Sequence, residues 1–229
     1  MPCNFANNLT NNAMKKFAVV LSGCGVYDGT EIHEAVLTML AIDRLGHEYD
    51  LFAPDMQHHH VKNHLTGEVM QEWRNVLVES ARIARSNIKA LDKLLPEYYD
   101  ALVFPGGFGA AKNLSTFAFD GAACDVLPDV ERVIRHFAAV RKPIGALCIA
   151  PAIVSVVLEG ATVTIGTDQG TIAQIEKAGS KHRVSTHGEV VYDPAFNLFS
   201  TPCYMLDARI SQIAEGAENL IREMVEKGM

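Results

Sequence analysis

Three short apolar runs in this chain end abruptly on small residues, and that pattern constrains the fold more than any other feature. Phe17-Ala-Val-Val-Leu-Ser22 runs into Gly23, Gly25 and Gly29, Asp100-Ala-Leu-Val-Phe104 into Pro105, Gly106 and Gly107, and Lys142-Pro-Ile-Gly-Ala-Leu147 into Cys148. Apolar runs without polar alternation read as strands buried on both faces, the habit of parallel sheets. Between them lie segments of helical period. Ile32, Ala35, Val36, Met39 and Leu40 mark one, closed by Gly46, and Val130, Val133, Ile134 and Phe137 mark another behind Pro128. A strand at 49–53 closed by Pro54, an irregular stretch over 55–71, and a polar-faced helix through Val76, Ile83, Ile88 and Leu91 fill the first half. A helix over 150–158, a strand over 161–166, a helix over 171–178, strands near 183–192 and 197–201 and a helix over about 208–227 complete the reading. Strand and helix alternate throughout, which predicts one α/β domain over residues 15–229, its sheet covered on both faces.

Composition narrows the partners. With Lys+Arg 20 against Asp+Glu 27, the formal charge is −7, and hydrophobic residues make up 48% of the 229. An acidic chain lacks the counterion-release term that drives nucleic-acid binding, so no such partner is expected. No apolar run approaches the roughly 18–20 residues that span a bilayer, so no membrane partner is expected either. Five cysteines without a CxxC pair point to reduced thiols. The first thirteen residues carry neither Lys nor Arg, and they match neither a secretory signal nor a transit peptide. The expectations are a disordered tail over 1–14, a start at Met14 and a cytoplasmic address.

Ligands of open α/β sheets sit at the carboxyl ends of strands. Cys148 falls between a strand and a helix, with Ala146 before it and Ala150 after, the small-residue pattern that a nucleophile elbow requires. The helix that follows would favour its thiolate. The competing reading is a small buried hydrophobe. Glu31 opens the first helix on the same sheet edge and could act as a general acid or base. It also fits a capping box with Asp28 as N-cap and Glu31 at N3. Gly106 and Gly107 are turn glycines or, with the N–H of Ile149, donors to an oxyanion. The loop from Gly23 to Gly29 is spaced GxGxxxG, which argues against nicotinamide. His58, His59, His60 and His64 read as solvated loop histidines rather than metal ligands, and His33 is expected to point away from Glu31.

Several motifs together resemble the ElbB family of amidotransferase-like proteins within the PfpI/Parkinsonism-associated deglycase superfamily. They are the segment from Ser22 to Ala35, Arg74-Asn-Val-Leu, the stretch from Glu79 to Arg85, Pro105 to Leu114, Cys148-Ile-Ala-Pro151 and Thr201-Pro-Cys-Tyr-Met205. The resemblance implies a flavodoxin-like three-layer sandwich of the class I glutamine amidotransferase type, usually a homodimer. It places a nucleophile at Cys148, a carboxyl at Glu31, and backbone oxyanion donors at Gly107 and Ile149. It further implies a glyoxalase-type lyase that needs no cofactor and no metal, converts a small aldehyde or dicarbonyl, and is linked to isoprenoid biosynthesis. A thiol-based redox sensor and an amidotransferase-like subunit stand as alternatives. The His-Pro-Glu-like pair that the wider superfamily carries before its last helix is replaced here by Thr201-Pro-Cys-Tyr204, and His187-Gly-Glu189 comes too early to supply it.

Overall fold

The computed structural model describes residues 13–229; residues 1–12 of the expected tail lie outside that range. Among the described residues there are nine strands: β1 (Lys16–Val20), β2 (Glu48–Ala53), β3 (Lys89–Ala90), β4 (Ala101–Phe104), β5 (Ile144–Leu147), β6 (Thr162–Val163), β7 (Lys181–His182), β8 (Val191–Asp193) and β9 (Leu198–Thr201). Eight α-helices accompany them: α1 (Ile32–Arg44), α2 (Val76–Ile83), α3 (Phe108–Lys112), α4 (Phe117–Asp120), α5 (Pro128–Ala139), α6 (Ala150–Val157), α7 (Gln169–Lys177) and α8 (Ile210–Glu223).

Seven strands form one sheet in the order β3-β2-β1-β4-β5-β9-β8, parallel except for the edge strand β8. The five central strands follow the flavodoxin-like order, whose switch point falls between β1 and β4. The alternation of the strands sorts two cores. Phe17, Val19, Ala101, Val103 and Leu147 face one cluster, shared with Ala35, Ile42, Ile213 and Leu220 of α1 and α8. Ala18, Val20, Leu102, Phe104, Ile144 and Ala146 face the other, shared with α5 and α6. The chain is thus a three-layer α/β sandwich.

Several expected elements are shorter or differently placed. The strand expected over 161–166 shrinks to β6, which pairs with β7 in a separate two-stranded sheet. The helix expected to include Ile88 and Leu91 stops at Ile83, because Arg85 (φ 52) and Ser86 (φ 68) turn left-handed. On α1 the inner face is formed by Glu34, Ala35, Thr38, Ala41 and Ile42, while Ile32, Val36 and Leu40 are exposed. Small residues face inward there because α1 lies directly against α8, where bulky ones would hold the helices apart.

Candidate active site

The turn after β5 brings the chemistry together. An extended Cys148 would continue the strand alternation and face α5 and α6. Its φ of 60 instead turns the side chain into the opposite core, toward α1. A left-handed conformation costs a non-glycine residue about 1–2 kcal/mol, and such strain persists where the surroundings enforce it. The Cys148 N–H donates to Thr201 O at 3.0 Å, which anchors the turn to β9. Pro151 then starts α6 within its first turn, where a missing N–H costs nothing.

The carboxyl that meets Cys148 belongs to Glu34, one helical turn beyond the residue expected from the sequence. Glu34 is fully buried. Gly106 N donates to its Oε2 at 3.0 Å and Tyr204 N to its Oε1 at 3.1 Å. Its carboxyl lies beside the Cys148 thiol: a Cβ at Gly106 would lie 2.5 Å from Glu34 Oε2 and 2.9 Å from Cys148 Sγ. Burial, and then the nearby Glu31 carboxylate, push the Glu34 pKa up from 4.5 to about 8. Glu31 caps α1 instead: its Oε2 accepts from Glu34 N at 2.7 Å, so the helix has Glu31 itself as N-cap. The expected box with Asp28 does not form, and Asp28 accepts from Lys62 N at 2.6 Å. His33 also departs from expectation. Its Nδ1 lies 3.9 Å from Glu31 Oε1 and 2.9 Å from the Tyr204 hydroxyl.

The backbone N–H groups of Gly107 and Ile149 lower the pKa of the Cys148 thiol against the effect of burial. Two glycines make the close packing here possible. A Cβ at Gly106 would lie 2.3 Å from the Cys148 Cβ and 2.5 Å from Glu34 Oε2, and one at Gly107 (φ 97) would lie 2.3 Å from Glu31 N. The thiolate expected from the helix terminus is not the resting state. Burial and the Glu34 carboxyl push the thiol well above its ordinary value, outweighing the two N–H groups that lower it. Cys203, also left-handed (φ 41) and buried, closes the far side, its thiol pushed up by burial and then by Glu34.

The histidine-rich stretch lies elsewhere. It packs on the glycine loop, with Tyr27 N donating to His64 Nε2 at 3.2 Å. His58, expected in solvent, is buried there against Gly23. Among the described residues no group of three or more His, Cys, Asp or Glu side chains is arranged to hold a metal. Gly25 and Gly29 spend their N–H groups inside the loop, on Thr30 O and Gly25 O. Glu189 accepts from Thr186 N at 2.6 Å within its own turn.

A flavodoxin-like sheet with a cysteine on the strand-to-helix turn and a buried glutamate beside it defines an amidotransferase-like protein. No family model matches the chain. It is 44% identical to "ES1 protein homolog, mitochondrial" of Rattus norvegicus, over 92% of this chain and 83% of that protein. It is 45% identical to the human "Glutamine amidotransferase-like class 1 domain-containing protein 3, mitochondrial", over 92% and 82%. The crystal structure of an isoprenoid biosynthesis protein with an amidotransferase-like domain from Ehrlichia chaffeensis superposes with a TM-score of 0.86 at 39% identity, covering 92% of this chain and 99% of that one. Drosophila melanogaster DJ-1beta shares the fold, with a TM-score of 0.53 at 17% identity over 94% and 95%. The chain belongs to the ES1/ElbB family of amidotransferase-like proteins. The relatives' mitochondrial names overturn the cytoplasmic address, which rested on five cysteines read as reduced thiols and on the composition of the first thirteen residues.

Proposed function

We propose that this protein is a glyoxalase-type enzyme that converts small dicarbonyls to 2-hydroxy acids through a hemithioacetal on Cys148. The observation that carries this reading is the buried Glu34 carboxyl beside the Cys148 thiol: a Cβ at Gly106 would lie 2.5 Å from Glu34 Oε2 and 2.9 Å from Cys148 Sγ. A neutral thiol attacks a carbonyl efficiently only if a base takes its proton, and a carboxylate with a pKa of about 8 is tuned for that near neutrality. Sulfur bonds to one carbonyl carbon of glyoxal as Glu34 takes the thiol proton. The oxygen carries the displaced π electrons, is held by the Gly107 and Ile149 N–H groups, and receives the proton back from Glu34. Glu34 then removes the hydrogen on that carbon and returns it to the neighbouring carbon, while the hydroxyl proton passes to the second oxygen. One carbon is thereby oxidised and the other reduced, giving a thioester. Water cleaves it to glycolate and restores the thiol.

Two features weigh against the alternatives. A thiol pushed up by burial suits peroxide sensing poorly, and glutamine hydrolysis lacks a histidine where Thr201-Pro-Cys203 stands. The isoprenoid label of the Ehrlichia protein names a pathway without a reaction, and a dicarbonyl-clearing role is compatible with it. The test is glycolate formation from glyoxal by the purified protein. Cys148→Ala is expected to abolish it and Glu34→Gln to lower it at least about a hundredfold. Turnover by Cys148→Ala at the wild-type rate would exclude the mechanism.

A further inference from the structure

The segment joining β2 to α2 folds back on itself as a hairpin strap over residues 57–75. Gln57 pairs with Asn75 and Lys62 with Val69 in antiparallel bridges, and His58 N donates to Arg74 O at 2.9 Å. The strap lies on the glycine loop. Lys62 N donates to Asp28 Oδ2 at 2.6 Å, Tyr27 N to His64 Nε2 at 3.2 Å, and His59 N to Asn113 Oδ1 at 3.0 Å. Asn113 in turn donates to Ser22 O at 2.9 Å and to Asp28 O at 2.8 Å. Beneath the strap, the loop is stitched to the turn beside Cys148. Glu31 N donates to Gly106 O at 2.9 Å, and Gly109 N to Gly29 O at 2.8 Å.

Two imidazoles fasten the strap, and the contacts of both require the neutral ring. At His64 the partners decide it. Its Nε2 faces the Tyr27 N–H, which can only donate, and its Nδ1 lies 3.2 Å from Lys62 O, which can only accept. The proton therefore sits on Nδ1 and the lone pair on Nε2, and a second proton would set two donors against each other. Asp28 Oδ1, 3.8 Å from the same nitrogen, offsets part of that loss.

His58 is the stronger fastener. It is 6% exposed, and neither ring nitrogen has a hydrogen-bond partner. Among the described residues no other buried side chain leaves two polar atoms unpaired. The packing leaves no room for adjustment: a Cβ on Gly23 would lie 2.4 Å from His58 Cε1 and 2.7 Å from its Nε2. A neutral ring tolerates such a place far better than an imidazolium, which carries a charge and two N–H donors. Asp28 of the loop, through its carboxylate and its backbone, and Glu79 of α2 favour protonation of His58, while Arg74 of the strap opposes it. Burial outweighs the two acids and holds the ring below its ordinary 6.5.

We propose that the strap over 57–75 is an acid-released cover, closed on the glycine loop while His58 and His64 are neutral and opened when both rings take up protons. An open strap binds protons at the ordinary histidine value, and a closed one only at lower pH. Closure is therefore full above about pH 6.5 and is lost as pH falls below it. Opening frees the glycine loop and removes the outer support of the Gly106–Gly107 turn. The cover works in this way whatever reaction Cys148 performs.

The experiment is hydrogen–deuterium exchange of the full chain at pH 7.5 and pH 5, read by mass spectrometry and corrected for the intrinsic pH dependence of amide exchange. In the wild type, peptides covering 57–75 and 23–30 should lose protection about tenfold or more at pH 5, because each pKa unit between open and closed states is a tenfold change in opening. Peptides of β1 and β4 should keep theirs. His58→Leu and His58→Phe fill the same place without titrating, and each should hold the loss within about threefold. His64→Gln, whose amide oxygen still accepts from the Tyr27 N–H, should remove a smaller part of the loss. Equal losses in the wild type and in whichever His58 variants fold would overturn the proposal. So would an unchanged strap in the wild type, or a loss shared by β1 and β4, which marks global acid unfolding.

Discussion

Glu34 receives the N–H of Gly106 on one carboxyl oxygen and that of Tyr204 on the other, and Cys148 meets the same carboxyl. Two backbone donors from different strand ends thus hold a fully buried acid against a strained cysteine, and the consequences of that arrangement are measurable.

Removal of the Glu34 charge should move two properties in opposite directions. The carboxylate raises the Cys148 thiol, so Glu34→Gln lowers it and speeds alkylation by iodoacetamide above pH 8. The same change removes the base, so dicarbonyl turnover drops about a hundredfold or more. Stopped alkylation read by peptide mass spectrometry, alongside glycolate release, checks both.

Glu31→Gln separates the cap from the base. A glutamine oxygen can still accept from Glu34 N, so the helix keeps its cap at a cost of about 1 kcal/mol or less. Turnover is expected to fall far less than in Glu34→Gln. Equal losses in the two variants would contradict the assignment of the proton-transfer role to Glu34.

Stability should fall with pH because of Glu34. Its folded pKa of about 8 lies above its ordinary 4.5. Below pH 4.5 both folded and unfolded forms hold the proton and nothing is lost. As pH rises through 8 the unfolded chain has already ionised, and folding must give up that gain, roughly 5 kcal/mol at about 1.36 kcal/mol per unit. Urea midpoints at pH 5 and pH 8.5 should therefore diverge between wild type and Glu34→Gln, with the variant relatively more stable at the higher pH. Parallel midpoints would contradict the buried-acid assignment.

The glycines differ sharply in what they tolerate. Gly106→Ala places a methyl 2.3 Å from the Cys148 Cβ and should cost about 3 kcal/mol or more with loss of activity. Gly46→Ala, at φ 79 with open space around it, carries only the left-handed strain of about 1–2 kcal/mol. Thermal unfolding of the two variants, with turnover, checks the contrast.

The strands at the site were legible because β1, β4 and β5 are buried on both faces and so lack polar interruption. Cys148 was legible because an elbow excludes large neighbours. Glu34 was not, since Glu31 is the first acid at the start of α1 and its capping position mimics a catalytic one. A signal existed: Glu34 shares the inner face of α1 with Ala35, Thr38 and Ile42, a charge in a stripe of small residues. That face was itself misread, because Ile32, Val36 and Leu40 are more hydrophobic than the residues that α8 covers. The Tyr204 N–H on Glu34 is a backbone donor, and no side-chain pattern encodes it. β7 was missed and β6 overdrawn for a related reason: two residues carry no periodicity.

The most direct test is to acid-quench the wild-type protein during turnover of glyoxal and map the peptides. The account predicts a glyoxal-derived adduct on Cys148 alone, absent from Cys148→Ala together with glycolate formation. Glycolate formed at the wild-type rate with Cys148 unmodified, or with the adduct on another thiol, would contradict it.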